Sequence, residues 1–220
     1  MLEEKWIAIG VWIHAILGGL GLLAGAWALM VTKGGKYHRL AGKIFFVSMQ
    51  IGVVLSMCIA LLPGHKSLFL FLIGWFTLYM MWAGVLILRV SKERNPGWPH
   101  YLVTISMVVS AAGMIFLAIK NLMAGGQAGW VLGIFGAIGL SLSLQDLRFF
   151  KQVPKQPVLR IHSHIGRMVG AYIAAFTAFL VAGVKFQGLV PWLLPTALGS
   201  LAIIYWTRKY PLKSTMKTQS

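Results

Sequence analysis

Acidic residues are almost absent. Glu3, Glu4, Glu93 and Asp146 are the only four in 220 positions, and charged residues of both signs make up 11% of the chain. A soluble domain carries about a quarter charged residues, because polar atoms must cover its surface, and this chain lacks the means to do so. Its single cysteine, Cys58, excludes an internal disulfide and any Cys-x-x-Cys pattern. There is also no nucleophile elbow, no phosphate-binding glycine loop and no pair of neighbouring catalytic carboxylates. The 25 glycines recur at helix-packing intervals, which is not the spacing of a nucleotide fingerprint.

Long apolar runs fill the chain instead. It is 58% hydrophobic with a mean hydropathy of +0.78. Crossing a bilayer takes about 20 mostly apolar residues, and seven such runs stand at about 6–31, 43–62, 67–89, 100–123, 129–145, 162–186 and 189–206. Turn chemistry separates them, as in Lys33-Gly-Gly-Lys36, Pro63-Gly-His65 and Asn95-Pro-Gly-Trp-Pro99. The expected fold is an all-α integral membrane bundle of about seven spans, one transmembrane domain over residues 1–207, with a basic tail over 208–220. The first run is not read as a signal peptide: its leader, Met-Leu-Glu-Glu-Lys, is not basic, and the run is about twice the length of a signal-peptide core.

The net charge of +16 raises the question of nucleic acid, but the cations sit in short gaps between apolar runs and not along helical faces. No nucleic-acid partner is expected; anionic lipid is. Sixteen of the 20 Lys and Arg residues fall on one side of the seven-span arrangement, among them Lys33, Lys36, Lys92, Arg94, Lys155, Lys213 and Lys217. Lys5, Lys66, Lys120 and Lys185 fall on the other. The positive-inside rule then puts the N-terminus outside and the C-terminus in the cytoplasm. Tryptophans mark both interfaces, Trp6, Trp130 and Trp192 at outer ends and Trp27, Trp98 and Trp206 at inner ends.

Small residues predict helix contacts, because in lipid close approach replaces hydrophobicity as the driving force. One face of the first span carries His14, Gly18, Gly21, Gly25 and Ala28. One face of the fifth carries Gly129, Gly133, Gly136, Gly139, Ser143 and Asp146. The sixth has two such faces, Gly166-Gly170-Ala174-Thr177 and Ala171-Ala175-Ala178-Ala182, and is expected at the centre of the bundle. An internal echo links Lys36-Tyr-His38-Arg-Leu-Ala-Gly42-Lys43 to Arg160-Ile-His162-Ser-His-Ile-Gly166-Arg167. Read as a repeat, it makes spans 1–3 and 5–7 parallel copies. The equal spacing of His38, His100 and His162 suggests three hairpins instead.

Histidines offer the candidate chemistry. His38, His100, His162 and His164 begin the second, fourth and sixth spans on the cytoplasmic side. Neutral imidazole suits haem iron or a transition metal, so His38, His100 and His164 form a candidate haem b or metal set. His162 is the substitute for His164: two residues along a helix turn about 200°, so the pair cannot serve one site. The alternative is that these rings meet lipid phosphate or loop carbonyls. His14 lies near mid-membrane, where a polar ring faces the bundle interior or a cavity, and Gln50 is its candidate partner. Asp146 is a candidate for an ion pair with Arg39 or Arg167.

His14-Ala-Ile-Leu-Gly-Gly-Leu, Gly25 and Lys36-Tyr-His38-Arg39-Leu-Ala-Gly42-Lys43-Ile-Phe resemble the opening of predicted bacterial membrane proteins grouped as domain-of-unknown-function family 2306. The resemblance covers roughly the first half of the chain and implies a multi-pass membrane fold; His100 falls where that family has a further histidine. It implies no reaction. Three functions are consistent with the residues: a membrane redox role with haem or metal on the inner histidines, transport of a small solute or proton past His14 and Gln50, and a non-catalytic assembly subunit.

Overall fold

A computed structural model describes residues 2–90, 95–152, 157–186 and 190–210, with only the backbone of residues 2–4 and of Leu193. The basic residues Lys92, Arg94, Lys155, Lys213 and Lys217, and the tail over 211–220, lie outside the described residues. The described residues form helices and no strand: α1 (Leu2–Met30), α2 (Lys36–Ile59), α3 (Leu68–Leu86), α4 (Trp98–Met123), α5 (Ala128–Lys151), α6 (Val158–Ala178) and α7 (Val190–Lys209). A 3-10 turn, Ile87–Arg89, ends α3, and a π turn, Phe179–Gly183, ends α6. All seven helices, with these end turns, are long and apolar enough to cross a membrane.

The helices run further than the apolar runs where a charged end continues the helix. α2 begins at Lys36, seven residues before the hydropathy boundary at Lys43, and α5 continues through Asp146-Leu-Arg-Phe-Phe to Lys151. Lys, Arg and Leu are good helix formers, so hydropathy marks the apolar core and not the helix end. Arg148 and Lys151 in the last turn also suit the negative end of the helix dipole.

α1 with α2 and α4 with α5 form close antiparallel hairpins. α3 packs on α2, α4, α5 and α6, and α6 packs on α3, α7 and part of α1. The centre is therefore α3 and not α6. Of the most apolar window, 61% is buried in α3 against 33% in α6. α3 carries no charged residue from Leu68 to Leu86, and a helix apolar all round is a buried helix. α6 misses the centre because its second small face runs out to the surface: Ala171 is fully buried, but Ala178 and Ala182 are exposed. On its first face Gly170 meets the end of Met80 and Ala174 and Thr177 are buried, while a Cβ at Gly166 would meet nothing within 4 Å among the described residues. α5 and α6 form no close hairpin, so the packing follows neither repeat suggested by the sequence echo.

Methionine fills the notches that glycine opens. Met49 lies against Gly21, Met57 against Gly74, Met107 against Gly139 and Met168 against Gly84. An unbranched thioether fits an irregular gap that a branched side chain cannot enter. The small face of α5 works this way along α4: Gly129 abuts the Ala118 carbonyl, Gly136 abuts Met114, and Ser143 is fully buried.

Candidate functional site

The odd-numbered helices end at one end of the bundle, where Lys33, Lys36, Arg39, Arg148 and Arg160 gather; this is the basic end. A helix C-terminus leaves carbonyls without intrahelical donors, and here basic side chains from elsewhere supply them. His38 Nδ1 donates to Ala28 O of α1 at 3.1 Å, and His100 Nε2 to Leu86 O of α3 at 3.2 Å. His164 Nδ1 donates to Gly84 O of α3 at 2.7 Å, and His162 Nε2 to Tyr210 O after α7 at 2.6 Å. Carbonyls only accept, so each of these ring nitrogens carries the proton. Arg160 donates to Val90 O. Lys33 Nζ donates to Leu29 O at 2.6 Å and Val31 O at 3.0 Å and lies 3.8 Å from the centre of the Trp206 ring. Partial burial first, and the neighbouring charge of Lys209 second, hold the Lys33 pKa below the usual lysine value.

These bonds separate the four inner histidines. His100 has both nitrogens engaged, because Nδ1 accepts from Gly97 N at 3.1 Å. His162 reaches toward α7 while His164 reaches toward α3, so the two diverge as a 200° turn requires. His38 and His164 use only Nδ1, which leaves each Nε2 without a described partner. Among the described residues no three His, Cys, Asp or Glu side chains cluster as metal ligands. His14 Nδ1 donates to Gly52 O at 2.8 Å across the α1–α2 hairpin, and no hydrogen bond joins it to Gln50, whose Oε1 is buried without a described partner.

The most polar point of the interior lies elsewhere. Asp146 on α5 forms an ion pair with Arg167 on α6, while Arg39 turns to the Gly34 carbonyl at 3.1 Å. Tyr79 on α3 donates to the second carboxylate oxygen at 2.7 Å, and Arg167 also donates to Leu142 O at 3.0 Å. All three residues are at least 95% buried, and Arg167 Nε has no described partner. One carboxylate thus ties together three helices, of which α5 and α6 otherwise scarcely meet. The sequence singles out Asp146 and Arg167 but not Tyr79. The available signal is its hydroxyl, with that of Thr77, inside an otherwise apolar span.

Two cavities lie along the contact of α3, α4 and α5. A small one at the basic end is lined by Ala83, Leu86, His100, Thr104, Asp146 and Phe150, among others. A larger one, about 370 Å³, opens at the far end between Leu68, Leu72, Leu117, Lys120, Asn121, Gly129 and Leu132. Between them stand Phe76, which meets Phe135 edge-on at 5.1 Å, and the fully buried Met107 and Met114. Comparison with family models, curated proteins and solved structures gives no match to this chain.

Proposed function

We propose that this chain is a multi-pass protein of the bacterial cytoplasmic membrane that moves a proton or a small solute along the α3–α4–α5 contact. The basic end faces the cytoplasm and the N-terminus lies outside; the 16-to-4 division of Lys and Arg supports this orientation. The half-chain resemblance to family 2306 favours the same setting.

The observation that carries the transport reading is the buried Asp146–Arg167 pair, whose carboxylate lines the inner of two cavities along one helix contact. An ion pair inside a membrane is costly and marks ion or substrate pathways. Asp146 borders the inner cavity with His100 and Thr104, on the side of the basic end. Neutralising Asp146 removes the charge that holds Arg167 and leaves Tyr79 a weaker acceptor, which loosens the contact of α5 with α6 and α3. The barrier toward the outside is built of methionine and phenylalanine. Met107 and Met114 repack at low cost because their side chains are unbranched.

Cysteine accessibility tests the path. In a Cys58→Ser background, a cysteine at Leu132 reacts with a membrane-impermeant thiol reagent from outside only, and one at Thr104 from inside only. A cysteine at Met107 reacts from neither side at rest. Reaction of Thr104→Cys from outside, or of neither end position, defeats the reading.

A redox role has one specific observation in its favour. His38 and His164 each present an Nε2 while Nδ1 bonds a carbonyl, the arrangement that orients a metal-binding imidazole. Under this reading His38 and His164 hold a haem or metal near the cytoplasmic face, and His14 stays apart. A Soret band in untagged protein that disappears in His164→Ala supports it; a colourless, metal-free preparation from haem-replete cells rejects it.

A further inference from the structure

The outer cavity has the composition of a selective site. Leu72, Leu117 and Leu132 form apolar walls, and among the described residues Lys120 is the only charged side chain that lines it. Asn121 stands beside Lys120. Its Oδ1 accepts from Gly129 N at 2.8 Å, which fixes the carboxamide, and among the described residues Nδ2 makes no bond, so its two protons remain for a ligand. The volume of about 370 Å³ falls at the lower end of small-molecule sites.

Each wall excludes a class of ligand. A small hydrated ion gains nothing from three leucines and loses its water, which is costly without full replacement. A cation meets Lys120. A plain hydrocarbon leaves the ammonium and the amide unused. A two-chain phospholipid exceeds the volume.

We propose that this cavity binds a small amphipathic carboxylate, its anionic head on Lys120 and Asn121 and its hydrocarbon body on Leu72, Leu117 and Leu132. This deepens the transport reading by naming the class of solute that enters from outside, and it rests on that reading only for the passage of the solute after binding.

The test uses the full chain in lipid nanodiscs and a photoreactive octanoate carrying a diazirine at its tail. The expected result is saturable labelling confined to peptides of α3, α4 and α5 around these residues, displaced by octanoate but not by octanol. Lys120→Gln lowers the apparent affinity about tenfold, the loss of one charge-assisted hydrogen bond. Ala124→Phe, at the exposed rim where folding is not at stake, blocks labelling. Labelling spread over all lipid-facing helices, equal displacement by octanol, or an unchanged affinity in Lys120→Gln overturns the proposal. Saturable labelling in a protein that conducts no flux would retain the binding site and remove the transport reading. Flux without labelling would do the reverse.

Discussion

Tyr79 and Asp146, 67 positions apart in the chain, share a hydrogen bond of 2.7 Å while Arg167 holds the other oxygen of the same carboxylate. Breaking a buried pair by removing one partner leaves an uncompensated charge and costs about 3–5 kcal/mol. Arg167→Met should therefore lower the thermal midpoint in detergent far more than Tyr79→Phe, which removes one bond to a charged group, about 1.5–3 kcal/mol. The double variant Asp146→Leu/Arg167→Met should recover much of the Arg167→Met loss. If Arg167→Met melts like the parent, the pair does not hold α5 to α6.

Much of this arrangement is legible in sequence, and the rest has physical reasons for being hidden. Seven apolar runs separated by turn residues give seven helices, and the glycine spacing of α5 marks its face against α4. Asp146 and Arg167 stand out because charge inside an apolar bundle is rare. The central position of α3 is hidden because uniform apolarity carries no directional pattern; small residues on two faces of α6 point there instead, yet Ala178 and Ala182 end on the surface. Tyr79 and the carbonyl partners of the histidines depend on which helices meet, and no spacing along one helix encodes that.

Glycine positions separate packing from lipid contact. Gly129→Leu collides with the Ala118 carbonyl, and Gly136→Leu with the Met114 Cβ and the Ala111 carbonyl, none of which can swing aside as a methionine end can. Each should cost about 1–3 kcal/mol by overpacking and reduce the yield of detergent-extracted protein. Ala182→Leu lies on an exposed face and should extract normally. A normal yield from Gly129→Leu would show that α4 and α5 are not in close contact there.

Topology is open to fusion reporters. A reporter active only in the cytoplasm should work after Lys217 or within Lys151–Lys155, and fail after Pro63 or Gly126. Activity at Gly126 breaks the seven-span arrangement, because the α4–α5 turn would then lie inside.

The histidine bonds at the basic end predict modest, separable effects on stability. His38→Ala and His100→Ala each remove a donor from a helix C-terminus and should cost about 0.5–1.5 kcal/mol, the net worth of one hydrogen bond. Lysine at position 38 should restore part of the loss, since an ammonium reaches the same carbonyl. A collapse of folding in either alanine variant would assign these rings more than a capping role.

Flux through reconstituted protein is the decisive measurement for transport. Proteoliposomes loaded with a pH-sensitive dye, clamped by a potassium diffusion potential and supplied with octanoate outside, register proton and solute movement together. A saturable internal pH change is expected with the wild-type chain, and little or none with Asp146→Asn at equal insertion. The same flux in Asp146→Asn, or no flux above empty vesicles for the wild type, would contradict a path through the Asp146–Arg167 pair.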